Sequence, residues 1–138
     1  MSTLKALLIN PSPFLQFSAG NFHRFYTPMP PIGLAYLLAI IEKSGNIPLF
    51  YDDCVEMADN DKLSFFLKNQ APQVIGIPLY TSSTIYRVEE IVKTIRNIYD
   101  QVHYPPTHLL ILNKLQFQDM AQKLQILHNQ VSILKKIQ

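Results

Sequence analysis

Pro30-Pro31-Ile32-Gly33-Leu34-Ala35-Tyr36-Leu37-Leu38-Ala39-Ile40-Ile41-Glu42-Lys43-Ser44-Gly45 is the stretch on which the reading of this chain turns. Pro31 suits the first turn of a helix, where its missing N–H is no loss. Leu34, Leu37, Leu38 and Ile41 then recur at i, i+3, i+4 and i+7, which predicts an amphipathic helix over 31–44 with its apolar stripe turned to a core. Lys43 suits the negative end of that helix, and Gly45 can adopt the left-handed conformation that closes it. Outward on either side lie two short apolar runs, residues 4–9 and Ile47 to Asp52. Strand, long connection, helix and strand make one βαβ unit.

The rest of the chain extends the unit. A cap near Asp59 or Asn60 predicts a second helix, with Leu63, Phe66 and Leu67 as its buried stripe. Val74 to Leu79 is an unbroken apolar run, the pattern of a parallel strand buried on both faces. Pro78 has no N–H for the ladder, so pairing is expected to stop near it. Thr81-Ser82-Ser83-Thr84 supplies capping hydroxyls, and Ile85, Val88, Ile91, Val92, Ile95 and Ile98 carry a third helix to about Tyr99. Pro105-Pro106 breaks the chain, and His108 to Leu112 reads as a fourth strand.

Strands alternating with helices predict an α/β fold, a doubly wound parallel sheet in the order 2-1-3-4 with strand one central. In such sheets ligands sit at the carboxyl ends of the strands, where strand order reverses. That geometry singles out Asn10 and Pro11 after strand one, Asp52 and Asp53 after strand two, and Pro78 to Thr84 after strand three. The connection from Asn10 to Met29, rich in proline and aromatic residues, is long for this kind of fold. Its aromatics either serve a site or cover the sheet edge.

Composition narrows the function classes. The chain has 138 residues, a net charge of +2 and 48% hydrophobic residues, which suits one globular unit with a real core. Its Lys and Arg residues are scattered, so nothing marks a nucleic-acid surface. A single cysteine excludes an internal disulfide and suits a reducing compartment. No apolar run reaches the roughly 18 residues of a membrane span, and the chain opens on a strand without a cleavage signal. A cytoplasmic protein with no membrane partner is the expectation. His23, His103, His108 and His128 show no metal-ligand spacing, and no catalytic triad or Gly-rich phosphate loop stands out.

The order strand-Asn10-Pro11, a loop with Tyr26, Pro30-Pro31-Ile32-Gly33-Leu34-Ala35-Tyr36-Leu37, Glu42-Lys43-Ser44-Gly45, strand-Asp52, Ala71-Pro72-Gln73-Val74-Ile75-Gly76-Ile77 and Thr81 resembles a known pattern. It is similar to the N-terminal cobalamin-binding domain of B12-binding radical SAM proteins, over residues 4 to about 100. The resemblance implies a Rossmann-like domain holding a corrinoid over the strand ends. It implies cofactor contacts from Asn10, Pro11, Tyr26, Pro31, Gly33, Leu34, Asp52, Gly76, Thr81 and Ser82. A separate barrel would carry the iron–sulfur cluster and the radical chemistry.

Three departures bear on those implications. The signature Asp-x-His-x-x-Gly, whose histidine ligates cobalt, is missing: Cys54 and Val55 stand after Asp52 and Asp53. The family's Gly-Gly-Pro-His stretch is replaced by Leu112-Asn113-Lys114-Leu115, where glycine would let backbone approach a corrinoid closely. With one cysteine, this chain cannot hold the three-cysteine cluster. The expectation is therefore a corrinoid bound without a protein histidine on cobalt, no iron–sulfur cluster, no metal ligand from the protein and no catalysis by this chain alone. A radical SAM domain would be a separate partner.

From Gln101 onward the resemblance stops. Residues 1–112 read as the cobalamin-binding-type domain and 113–138 as a C-terminal amphipathic helix outside it. Phe117, Met120, Leu124, Leu127, Val131 and Leu134 form a seam at spacings of three and four. It would cover the sheet, pair two chains as a coiled coil, or reflect a truncated or frameshifted end. The competing functional class is a protein-interaction module that keeps the fold, has no ligand and pairs through that helix. A receiver-like domain is the weaker third reading, because strand three ends in Pro78 and Leu79 where a phospho-acceptor aspartate would be needed.

Overall fold

The computed structural model describes residues 3–13, 31–79, 84–102 and 108–112. Strand β1 is Lys5–Asn10, helix α1 Ile32–Lys43, strand β2 Ile47–Asp52, helix α2 Asn60–Gln70, strand β3 Val74–Pro78, helix α3 Ile85–Val102 and strand β4 His108–Leu112. The α/β class and the parallel central order 2-1-3 match the sequence expectation. β4 runs parallel to β3, from Val74 opposite His108 to Pro78 opposite Leu112. The segment from 113 onward, with its expected helix, lies outside the described residues, as does most of the loop after β1.

Alternation along β1 divides the core into two layers, since successive side chains leave opposite faces of a strand. Ala6 and Leu8 meet Leu34, Leu37 and Ile41 of α1 on one face. Leu7 and Ile9, with Ile75 and Ile77 of β3, meet Leu63 and Leu67 of α2 and Val88, Ile91, Ile95 and Ile98 of α3 on the other. All of β1 after Lys5 and all of β3 after Val74 is buried, as central strands of a parallel sheet must be. β2 has a single buried residue, Tyr51, because it forms one edge of the described sheet.

Short polar links align the amino ends of the strands. Ile47 N donates to Leu4 O at 2.8 Å, and Gln73 N donates to Lys5 O at 3.0 Å. Lys5 N donates back to Gln73 Oε1 at 2.7 Å, and Lys5 Nζ reaches Gln70 O at 3.0 Å. Gly45, at φ +80°, takes the left-handed position just past α1, as its place after Lys43 predicts. Several boundaries differ from the sequence expectation: the first helix is Ile32–Lys43 rather than 31–44, β1 is Lys5–Asn10 rather than 4–9, β3 ends at Pro78 rather than Leu79, and α3 runs to Val102 rather than about Tyr99. Helix α1 begins at Ile32 because Pro31 is its N-cap, its carbonyl accepting from Ala35 N at 3.1 Å. β1 runs on to Asn10 because that residue still pairs with Asp52 of β2.

Asp59 is the N-cap of α2, its carboxylate accepting from Asp61 N at 2.9 Å and Lys62 N at 3.2 Å. Because an N-cap satisfies helix donors that nothing else in the turn can reach, Asp59→Ala is expected to destabilise the fold by about 1 kcal/mol. Urea melts of the two proteins check this: the midpoint should fall with an unchanged slope.

Candidate functional site at the carboxyl ends of the strands

Parallel pairing brings the ends of β1 and β2 to the same level, and each apolar run terminates there in a polar residue. Asn10 lies opposite Asp52. Asn10 Nδ2 donates to Asp52 Oδ1 at 3.1 Å, and the same oxygen accepts from Cys54 N at 3.0 Å. Asn10 is buried while Asp52 is partly exposed, so the pair sits at the lip of the sheet rather than within it. Pro11 is buried beside them, its carbonyl 3.9 Å from Cys54 Sγ.

Cys54 is 5% exposed and lies 3.9 Å from Asn10 Nδ2. Burial, with Asp52 and Asp53 adding negative charge, pushes its thiol up to about 12. It is therefore a protonated packing group, in line with the reading of cysteine as a small apolar filler, and not a thiolate.

Asp53, next in the chain, has a different task. Its carboxylate is fully buried and holds Arg87 of α3 through two bonds of 2.8 Å, one from Nε and one from a terminal nitrogen. Ser12 N donates to the same carboxylate at 3.1 Å. The remaining Arg87 nitrogen donates to Asn60 Oδ1 at 2.6 Å and Glu90 Oε2 at 2.9 Å. Burial works against the charge on Arg87, but Asp53 and then Glu90 outweigh it and raise its pKa. One guanidinium thus ties the exit of β1, the exit of β2, the start of α2 and the start of α3 together, directly beneath the candidate site. Sequence reasoning placed Asp53 at the strand end but missed Arg87. An arginine between Ile85 and Val88 on the inward side of an otherwise apolar stripe was the available signal.

The other expected residues are distributed unevenly. Pro31 caps α1, and Gly33 is exposed on its first turn with open space around it. Leu34 is fully buried beneath α1, in contact with the sheet core. Gly76 is buried in the middle of β3, paired with Leu8 of β1. Tyr26, Thr81 and Ser82 lie outside the described residues. Around the same end of the sheet stand exposed apolar side chains: Ile32 at the start of α1, Val55 and Met57 after β2, and Ile85 and Tyr86 at the start of α3. A polar pair on a lip, ringed by exposed apolar groups, suits a ligand with a broad apolar body and a polar periphery. Among the described residues no group of three or more His, Cys, Asp or Glu side chains is placed to hold a metal ion.

Two outcomes follow from these contacts. Asp53→Asn should cost about 3–5 kcal/mol by leaving the buried Arg87 with only the exposed Glu90 carboxylate to balance it, while replacing both Asp53 and Arg87 with leucine should cost less than the sum of the two single leucine changes. Urea-melt double-mutant cycles check it. Cys54 should resist iodoacetamide in the native protein at pH 8 and react fully in urea. Because its thiol ionises near 9.0 when unfolded and about 12 when folded, its share of stability should be intact below pH 9 and decline above it.

No protein-family model matches the chain. No curated protein matches it either. Among solved structures, the chain is similar to the radical S-adenosylmethionine methyltransferase TsrM from Kitasatospora setae with tryptophan substrate and the SAM analogue aza-SAM bound. That likeness has a TM-score of 0.62 and 17% identity over 80% of this chain. It is also similar to TsrM with cobalamin and a [4Fe-4S] cluster bound, at a TM-score of 0.60 and 17% identity over 81% of this chain. The match spans 19% and 20% of those chains, about a fifth of their length. At this identity the likeness establishes a shared fold, a parallel α/β sheet of the same build as part of a cobalamin-containing protein.

Proposed function

We propose that this chain is a corrinoid-binding domain of the kind carried by B12-binding radical SAM proteins. The observation that carries the reading is the shared fold with the cobalamin-bound methyltransferase, reached independently of the motif order in the sequence. The site's chemistry supports it. A corrin ring is broad and apolar with an amide periphery, and the strand ends offer the Asn10 carboxamide and Asp52 carboxylate within a rim of Ile32, Val55, Met57, Ile85 and Tyr86.

In this reading Asn10, Pro11 and Asp52 receive the ring edge over β1 and β2. Gly76, Tyr26, Thr81 and Ser82 are the further contacts assigned to the corrinoid. Pro31, Gly33 and Leu34 hold the start of α1 in place. Asp53 and Arg87 contribute rigidity and no ligand contact, since their hydrogen-bonding groups are turned to each other. A bound corrinoid supplies a cobalt centre able to carry a methyl group or an electron, whereas the protein binds, orients and excludes water. The segment after β2, residues 53–59, carries no histidine to ligate cobalt. Asp53 is engaged with Arg87, Cys54 keeps its proton, and the Val55 side chain has no donor atom. The iron–sulfur cluster and the radical step belong to a separate radical SAM domain, and no catalysis is assigned to this chain alone. No helix among the described residues is long and apolar enough to cross a membrane.

Hydroxocobalamin is expected to co-elute with the full chain through gel filtration. The reduced Co(II) form should show no nitrogen splitting from a protein imidazole in its EPR spectrum, with the same spectrum in His23→Ala. Asp52→Ala should weaken retention about tenfold or more, the scale of one lost hydrogen bond to a charged group, with the circular dichroism unchanged. Imidazole splitting that vanishes in His23→Ala would overturn the histidine-free cobalt. Absence of any retained corrinoid would overturn the binding itself and favour the ligand-free interaction module.

A further inference from the structure

The two faces of the sheet are covered unequally. On one, α2 and α3 pack side by side against Leu7 and Ile9 of β1 and Ile75 and Ile77 of β3. On the other stands α1, which connects β1 to β2 and meets Ala6 and Leu8 through Leu34, Leu37 and Ile41. Val74, opposite Ala6, is the β3 residue packed against that cluster. Alternation along the strand carries the α1 face on through Gly76 and Pro78, and the register then leads to positions 108, 110 and 112 of β4. β4 is two strands from β1, about 10 Å away, which is the diameter of a whole helix. The β3–β4 half of this face therefore has no helix among the described residues.

Gly76 and Pro78 are nevertheless buried. A glycine has no side chain to shield its own backbone, so its burial calls for a cover from another part of the chain. Parallel sheets are covered on both faces for the same reason.

We propose that the C-terminal segment of this chain supplies the cover: residues 117–134 lie as a helix beside α1, over β3 and β4. Phe117, Met120, Leu124, Leu127, Val131 and Leu134 face the sheet, an apolar seam at helical spacing. Position and length both suit the task. β4 ends at Leu112, at the carboxyl end of the sheet, and residues 113–116 make a connection of ordinary length. A helix over 117–134 is about 26 Å long, against about 17 Å for a five-residue strand such as β4, so it runs back along the whole strand. Segment 14–30 suits the task less, because it leaves β1 and enters α1 at the same end of the sheet. A seam spent inside the chain is not free to pair two chains, so the protein is a monomer. None of this uses Asn10, Asp52 or the strand-end rim, and it stands independently of corrinoid binding.

The test uses the 138-residue chain carrying Cys54→Ala and Gln125→Cys, with a nitroxide spin label on the new thiol, which lies off the apolar seam. Paramagnetic broadening of backbone amide signals should fall on β3, β4 and α1 and spare α2 and α3 beyond the sheet. Mixing isotope-labelled chains that lack the nitroxide with unlabelled chains that carry it should give no broadening, since the cover comes from the same chain. In urea melts Leu127→Ser should lower the midpoint, because an apolar side chain leaves the core, while Gln125→Ser leaves it unchanged. Four results would each overturn the assignment. They are broadening centred on α2 and α3, no broadening outside the tail, broadening passed between chains in the mixture, and an unchanged midpoint for Leu127→Ser.

Discussion

Parallel pairing of β1 with β2, in register from Lys5 opposite Ile47 to Asn10 opposite Asp52, is the constraint on which the rest of the molecule depends. The register is set at the amino ends, where Ile47 N reaches Leu4 O and Asn46 Oδ1 receives Leu4 N. It is read out at the carboxyl ends, where the two polar residues that stop the strands meet. A slip of one residue would send every β2 side chain to the other face. Tyr51 would leave the α2 layer for solvent or α1, and Asp52 would no longer meet Asn10.

The two adjacent carboxylates after β2 show how that constraint separates tasks. Asp52 is the last residue of the strand and remains at the lip, within reach of Asn10 and the following turn. Asp53 is the first residue beyond it. There the chain turns inward, and the side chain enters the layer between the sheet and α3, where only a buried cation can balance it. Arginine suits the place because its planar fork meets both carboxylate oxygens at once and still has a nitrogen for Asn60 and Glu90. The clamp does mechanical work for the site above it: three loops that leave the sheet at its carboxyl end share one ion pair.

The edge position of β2 explains why polar and apolar oddities collect around it. β1 and β3 are flanked on both sides and bury almost everything they carry. β2 has a neighbour on one side, so Ile47 and Phe50 remain partly exposed and Tyr51 alone is drawn inward. Beyond Tyr51 the turn to α2 runs through Met57 and Ala58 at φ 59° and 53°, left-handed backbone that non-glycine residues seldom adopt. The strained turn and α2, entered through the Asp59 cap, leave space outside the Tyr51 ring.

The sequence by itself determined the layers, the central strand order 2-1-3 and the element types among the described residues. Apolar periodicity is a local property, and Leu34–Leu37–Ile41 or Val88–Ile91–Ile95 can pack only one way against a sheet. It also located the strand ends, since Asn10 and Asp52 visibly close apolar runs. The tertiary structure decided which polar groups face a ligand and which face each other. The Asp53–Arg87 pair spans 34 positions of chain, and no local pattern distinguishes its aspartate from Asp52. Likewise the burial of the Tyr51 hydroxyl, which has no hydrogen-bond partner among the described residues, depends on where α2 comes to rest. That position is set by packing of Leu63 and Leu67 into the core, a non-local event that periodicity announces but does not place.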